Sequence, residues 1–182
     1  MKTFILVSMA ALAVSGAAVA EPVTRTTTYD GPRVDATHTA VRDKAAGTYS
    51  RDTTAIRARD GATATRSYDR ARTDTGVAAS GSATGFAGNT RSFDYARTRT
   101  DNGYTASGTG TGPRGQTYTL AGQGTRTDTG YTRDRTVTNS AGTMLYDRKV
   151  TATRANGQIS RDVSVTRAAG FHRPGFGGGR RH

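Results

Sequence analysis

Polar and apolar positions alternate along the middle of this chain with a period of two. In 62–75, Thr63, Thr65, Ser67, Thr73 and Thr75 fall on one parity, and Arg66, Tyr68, Arg70 and Arg72 on the other. In 89–102 the split sets Thr90, Ser92, Thr98 and Thr100 against Arg91, Phe93, Tyr95, Arg97 and Arg99. In 116–129 it sets Thr117, Thr119, Thr125, Thr127 and Thr129 against Tyr118, Leu120 and Arg126. Successive side chains of a strand point to opposite faces, so the pattern predicts strands with one hydroxyl face and one arginine/aromatic face. Thr and Tyr favour extended backbone, whereas the Gly and Thr content excludes helix. Around 142–156 the phase breaks, because Met144, Tyr146, Arg148 and Val150 share a parity, and a β-bulge is expected there.

Glycines punctuate the strands at 31, 47, 61, 76, 88, 103, 115, 130, 142 and 157. From Gly61 onward the spacings alternate between 15 and 12, so Gly76, Gly103, Gly130 and Gly157 recur every 27 residues, as do Gly61, Gly88, Gly115 and Gly142. Internal periodicity dictates architecture. Four of these glycines follow Asp or Asn, in Asp30-Gly31, Asp60-Gly61, Asn102-Gly103 and Asn156-Gly157. Such pairs suit the positive backbone dihedrals of tight hairpin turns. Ten reversals imply about eleven strands. The expected fold is all-β: a repetitive antiparallel hairpin meander of 27-residue period, two strands per repeat, in a single extended or curled sheet. Cross-strand Thr pairs and arginine stacked on rings would hold it, each worth about 0.2–1 kcal/mol.

Composition makes that sheet poor in core. Beyond residue 20 there are only eight Val, two Ile, two Leu and four Phe, while the full chain of 182 residues carries 33 Thr and 23 Arg. An enclosed catalytic cleft is not expected from so few aliphatics. No Cys is present, which excludes disulfides, thiolate metal sites and cysteine nucleophiles. Two terminal segments stand apart. Lys2, the apolar run from Phe4 to Val14 and the small residues ending in Ala18-Val19-Ala20 read as an export signal over 1–20, with cleavage between Ala20 and Glu21. The run is too short to span a bilayer, so no transmembrane segment is expected in the mature chain. The repeat region is placed at 21–168, followed by a flexible Gly/Arg-rich tail at 169–182. The location implied is periplasmic, cell-surface or secreted.

The sequence carries none of the common catalytic or metal-binding spacings. His38, His172 and His182 are far apart, no calcium-loop spacing occurs, and no G-x-S-x-G elbow or phosphate-cradling loop appears. The Asp residues recur at turns and beside Arg, which reads as turn chemistry and charge pairing. A non-catalytic protein without cofactors is expected.

The net charge of +12, almost all from arginine, favours anionic polymers such as polysaccharide, lipopolysaccharide or nucleic acid. Candidate contacts are the strand residues Arg66, Arg70, Arg72, Arg91, Arg97, Arg99, Arg126, Arg133 and Arg135. Tyr68, Phe93, Tyr95 and Tyr131 interleave with them, and Arg173, Arg180 and Arg181 lie in the tail. Guanidinium forks grip phosphate or sulfate, and rings stack on bases or sugars. Two alternatives accompany this reading. One is a structural or matrix protein that self-associates through sheet edges. The other is ice binding, because recurrent Thr-x-Thr tripeptides resemble the threonine arrays of ice-binding β-solenoids.

Overall fold

The computed structural model describes residues 21–171, and within them the chain forms eleven strands. These are β1 (Val23–Tyr29), β2 (Val34–Asp43), β3 (Thr48–Arg57), β4 (Thr63–Thr73), β5 (Gly76–Thr84), β6 (Thr90–Thr100), β7 (Gly103–Thr111), β8 (Thr117–Thr127), β9 (Gly130–Asn139), β10 (Met144–Ala155) and β11 (Gln158–Arg167). Each pairs antiparallel with its sequence neighbours, in the order β1 to β11, in one open sheet. The expected hairpin meander is therefore the observed fold. No strand packs on any but its neighbours, so the sheet is a single layer. Domains usually bury a face between two layers. Here the described residues leave both faces open along most of the sheet.

The 27-residue period has a simple geometry. Eleven residues of β6, a two-residue turn at Asp101-Asn102, nine residues of β7 and a five-residue loop from Gly112 to Gln116 make one unit. Because β6 outruns β7 by two residues, each hairpin reaches two residues beyond its predecessor at the two-residue-turn end. The overhang is tied down by a recurring bond. The backbone N–H of Arg99 donates to the Thr75 carbonyl at 2.7 Å, that of Arg126 to Asn102 at 2.6 Å, and that of Arg154 to Thr129 at 2.6 Å. The last interval is 28 residues rather than 27, because β10 carries an extra residue where its register shifts between Met144 and Tyr146. This is the expected bulge, with one correction. Met144 opposes Thr138 on the hydroxyl face, whereas Tyr146 opposes Val137 on the arginine face, so the two do not share a side.

The glycines at 27-residue spacing are of two kinds. Gly115 closes a loop with φ of +76°, its N–H donating to the Gly112 carbonyl at 2.9 Å, and Gly61, Gly88 and Gly142 are likewise left-handed. Gly103 instead opens a strand outside the left-handed region, and a Cβ there would overlap the Gly124 carbonyl oxygen of β8. Close approach, not turn geometry, selects glycine there. Of the four Asx-Gly pairs, only Asn156-Gly157 takes positive φ at both residues (51° and 76°). Asn102-Gly103 and Asp30-Gly31 do not have the expected positive-φ glycine. Gly157 is thus a turn residue, and the bulge leaves Gln158 in the strand-opening place.

The core is small and one-sided. Leu120, Val137 and Tyr146 are buried with Phe171, which stands beyond β11 after the left-handed Gly170. Val150 and Ala152 are buried on the same face of β10. Across the sheet, hydroxyls pair between strands: Ser67 with Ser82 at 2.9 Å, Thr84 with Thr90 at 3.0 Å, Ser92 with Thr111 at 2.8 Å and Thr26 with Thr39 at 3.3 Å. No helix among the described residues is long and apolar enough to cross a membrane. The export signal and the greater part of the tail lie outside the described residues.

Candidate polyanion-binding face

Residues directly opposed in an antiparallel pair lie on the same face, so the register assigns every strand side chain to a side. All seventeen arginines carried by the described strands fall on one face. All eight strand aspartates fall on the other, in the company of Thr, Ser and Lys149. The thirteen candidate residues within the described region all share the arginine face. Arg173, Arg180 and Arg181 lie outside the described residues, as does Ala20, while Glu21 is exposed just ahead of β1.

This segregation corrects the expectation of Arg–Asp charge pairing. An Asp adjacent in sequence to an Arg on a strand points away from it, as Asp69 does beside Arg70. Among the described residues the ion pairs involve only Asp60, in the turn after β3: Arg57 at 2.6 Å and Arg59 at 3.4 Å. The Arg57 guanidinium donates to both Asp60 oxygens and holds that carboxyl down at about 2. The arginine face tolerates its charge because the register separates like from like. Each strand arginine is opposed by an aromatic, aliphatic or small polar residue or by glycine, except that Arg135 also faces Arg148. His38 belongs to this face, with Nδ1 3.0 Å from the Thr53 hydroxyl. Its pKa is lowered, first by burial and then by Arg51.

The rings are occupied with one another. Tyr68 lies 6.1 Å from Tyr49 and 6.2 Å from Phe93, in a cross-strand row where glycines oppose the rings: Tyr68–Gly81–Phe93–Gly110–Tyr118. A Cβ on Gly81 would stand 2.7 Å from Phe93 Cε1, so the glycine makes room for the ring. Tyr118 meets Phe171 edge-on at 5.9 Å, and Tyr95 packs against the core. The candidate rings Tyr68, Phe93, Tyr95 and Tyr131 are thus engaged by other rings, by the core or by an arginine, while Tyr29 at the end of β1 is 53% exposed; what the face presents outward elsewhere is mainly guanidinium.

The face is hollowed at one end. A concavity of about 900 Å³ opens where β6–β10 overhang, lined by Arg97, Arg99, Arg126, Arg133 and Arg154 with Tyr131 and with Tyr104 over Gly124. Arg97 lies flat on Tyr104, its Cζ 3.8 Å from the ring centroid, and Arg133 approaches Tyr104 and Tyr131 at 6.0 and 5.5 Å. Sequence reading missed Tyr104 and Arg154. The period carries a signal for Arg154, since it repeats the place of Arg99 and Arg126, but the bulge displaces it by one.

Comparison with known proteins gives no relative. No family model, curated protein or solved structure matches this chain. A second hollow of about 760 Å³, on the hydroxyl face over β2–β8, is lined by small side chains such as Ala71, Ala78, Ala96 and Ser107 with Asp69 and Asp94. It holds no cluster of metal-ligating groups among the described residues.

Proposed function

We propose that this is a non-catalytic exported repeat protein of the cell envelope or extracellular space, and that it engages anionic polymers through its arginine face. The observation that carries the reading is the partition of charge: seventeen strand arginines on one side and no strand carboxylate among them. A mixed surface would screen itself, whereas a single-sign face sums its field and draws a polyanion from a distance. Because most rings of the face are engaged by one another, by the core or by arginine, the reading favours phosphate, sulfate or carboxylate groups over bases. Retention of the purified mature chain on a heparin column at physiological salt, with elution as salt rises, is the expected result; passage in the void overturns the reading.

The edges of the sheet favour a second role, self-association. β11 is exposed at every position and carries Ile159, Val163 and Val165 at 70%, 43% and 49% exposure. Two copies of β11 paired antiparallel about Val163 would set Arg161 opposite Val165, Ile159 opposite Arg167 and Asp162 opposite Ser164, with no like charges opposed. Sedimentation over a concentration series should show a dimer that Val163→Lys abolishes; a monomer at every concentration rejects this role.

A further inference from the structure

Among the features of the arginine face, the hollow at the overhanging turns is the one with the shape of a site. It draws its five arginines from β6, β8, β9 and β10, and its volume of about 900 Å³ falls within the range of small-molecule pockets. The arginines are exposed, but two are placed against rings and three are held at the backbone. Arg97 is laid on Tyr104, Arg133 stands by both tyrosines, and the backbones of Arg99, Arg126 and Arg154 are each bonded to a turn of the preceding hairpin. Gly124 is required beneath Tyr104, because a Cβ there would overlap the ring. Ordering guanidinium groups in advance lowers the entropic cost of binding.

We infer that this hollow is a discrete site for a compact saccharide or polyol bearing several phosphate or sulfate groups, and that it is the tightest point on the face. The inference rests on the polyanion reading and gives it a centre. Five arginines lining one hollow match clustered tetrahedral anions better than an evenly charged strand, since each guanidinium fork can take two oxygens of one group. The only carboxylates on the rim are Asp101 and Asp128, both in the two-residue turns. They oppose an anion, and their removal should strengthen binding.

The test uses the full mature chain, with calorimetric titration of sucrose octasulfate in one arm and inositol hexakisphosphate in the other. Binding near one per chain is expected, and the stronger arm identifies sulfate or phosphate as the preferred group. Arg126→Gln with Arg154→Gln should weaken it about tenfold. Arg66→Gln with Arg91→Gln, on the same face but remote from the hollow, should leave it within about twofold. Asp101→Asn with Asp128→Asn should tighten it two- to fivefold, a gain that misfolding does not produce. Equal losses from the two arginine pairs, or no gain from the aspartate variant, overturn the site while heparin retention persists. Loss of heparin retention by the wild-type chain instead overturns the reading beneath it.

Discussion

Phe171 holds the small core closed, and its removal tests how the sheet is stabilised. The residue is only 9% exposed and lies over Leu120, Val137 and Tyr146, edge-on to Tyr118. A buried aromatic removes about 200 Å² from water, worth roughly 5 kcal/mol at 25 cal/mol per Å². A compact denatured chain reduces that by up to about 40%, which leaves roughly 3 kcal/mol, at the low end for Phe→Ala. At about 2–4 °C per kcal/mol for a chain of this size, Phe171→Ala should lower Tm by roughly 6–12 °C. Thermal unfolding followed by circular dichroism would measure the shift, and urea unfolding followed by tyrosine fluorescence the free energy. Ile159→Thr, at a site 70% exposed, is the control and should cost under about 0.5 kcal/mol. If the two variants lose the same stability, the one-sided core does not hold the sheet together, and backbone pairing alone does.

Four other outcomes follow from the register and the titrating groups. Gly85→Ala should be neutral or stabilising by up to about 1 kcal/mol, since its φ is not left-handed and the nearest atom to the new Cβ would be the Asn89 carbonyl oxygen at 3.9 Å; Gly81→Ala should destabilise, being forced to 2.7 Å from Phe93 and 2.8 Å from the Ser67 carbonyl. Arg148→Thr removes the opposed Arg135–Arg148 pair and should raise stability by about 0.2–1 kcal/mol in urea unfolding, with the gain shrinking as salt is added. For pH, His38 has its pKa lowered on folding, so the unfolded chain binds more protons below its ordinary value of 6.5. Stability should therefore fall on acidification through that range, and His38→Asn should flatten the fall. Asp60, lowered from 3.8 to about 2, contributes stability above its unfolded pKa that is lost as pH drops toward 2, and Asp60→Asn should remove that component.

Much of this molecule is legible in its sequence because the strands need no tertiary context to declare their faces. The parity of Arg66, Tyr68, Arg70 and Arg72 against Thr63, Thr65 and Ser67 is the parity of the sheet. Two things escaped. Glycine spacing alone does not separate a left-handed turn residue such as Gly115 from a close-approach residue such as Gly103, since the first depends on φ and the second on a neighbouring carbonyl. The site at the overhang was invisible for a related reason. Arg97 meets Tyr104 within the β6–β7 hairpin, but Arg133 reaches it across Gly124 of β8 only because unequal strand lengths stagger the hairpins, and stagger is a property of register. The Asp–Arg neighbours misled for the opposite reason: adjacency along a strand is separation across a sheet.

The side on which an arginine stands matters for binding, not the number of arginines. Exchanging neighbours tests it with composition and net charge unchanged: Arg97→Thr with Thr98→Arg, Arg126→Thr with Thr127→Arg, and Thr153→Arg with Arg154→Thr, combined in one chain. Three guanidinium groups then move to the hydroxyl face. Affinity for a duplex DNA probe, measured from 50 to 200 mM salt, should fall, and the slope of log K against log salt should become shallower by about 2.7, at about 0.9 per lost contact. An unchanged affinity and slope, with circular dichroism showing the sheet intact, would contradict the account.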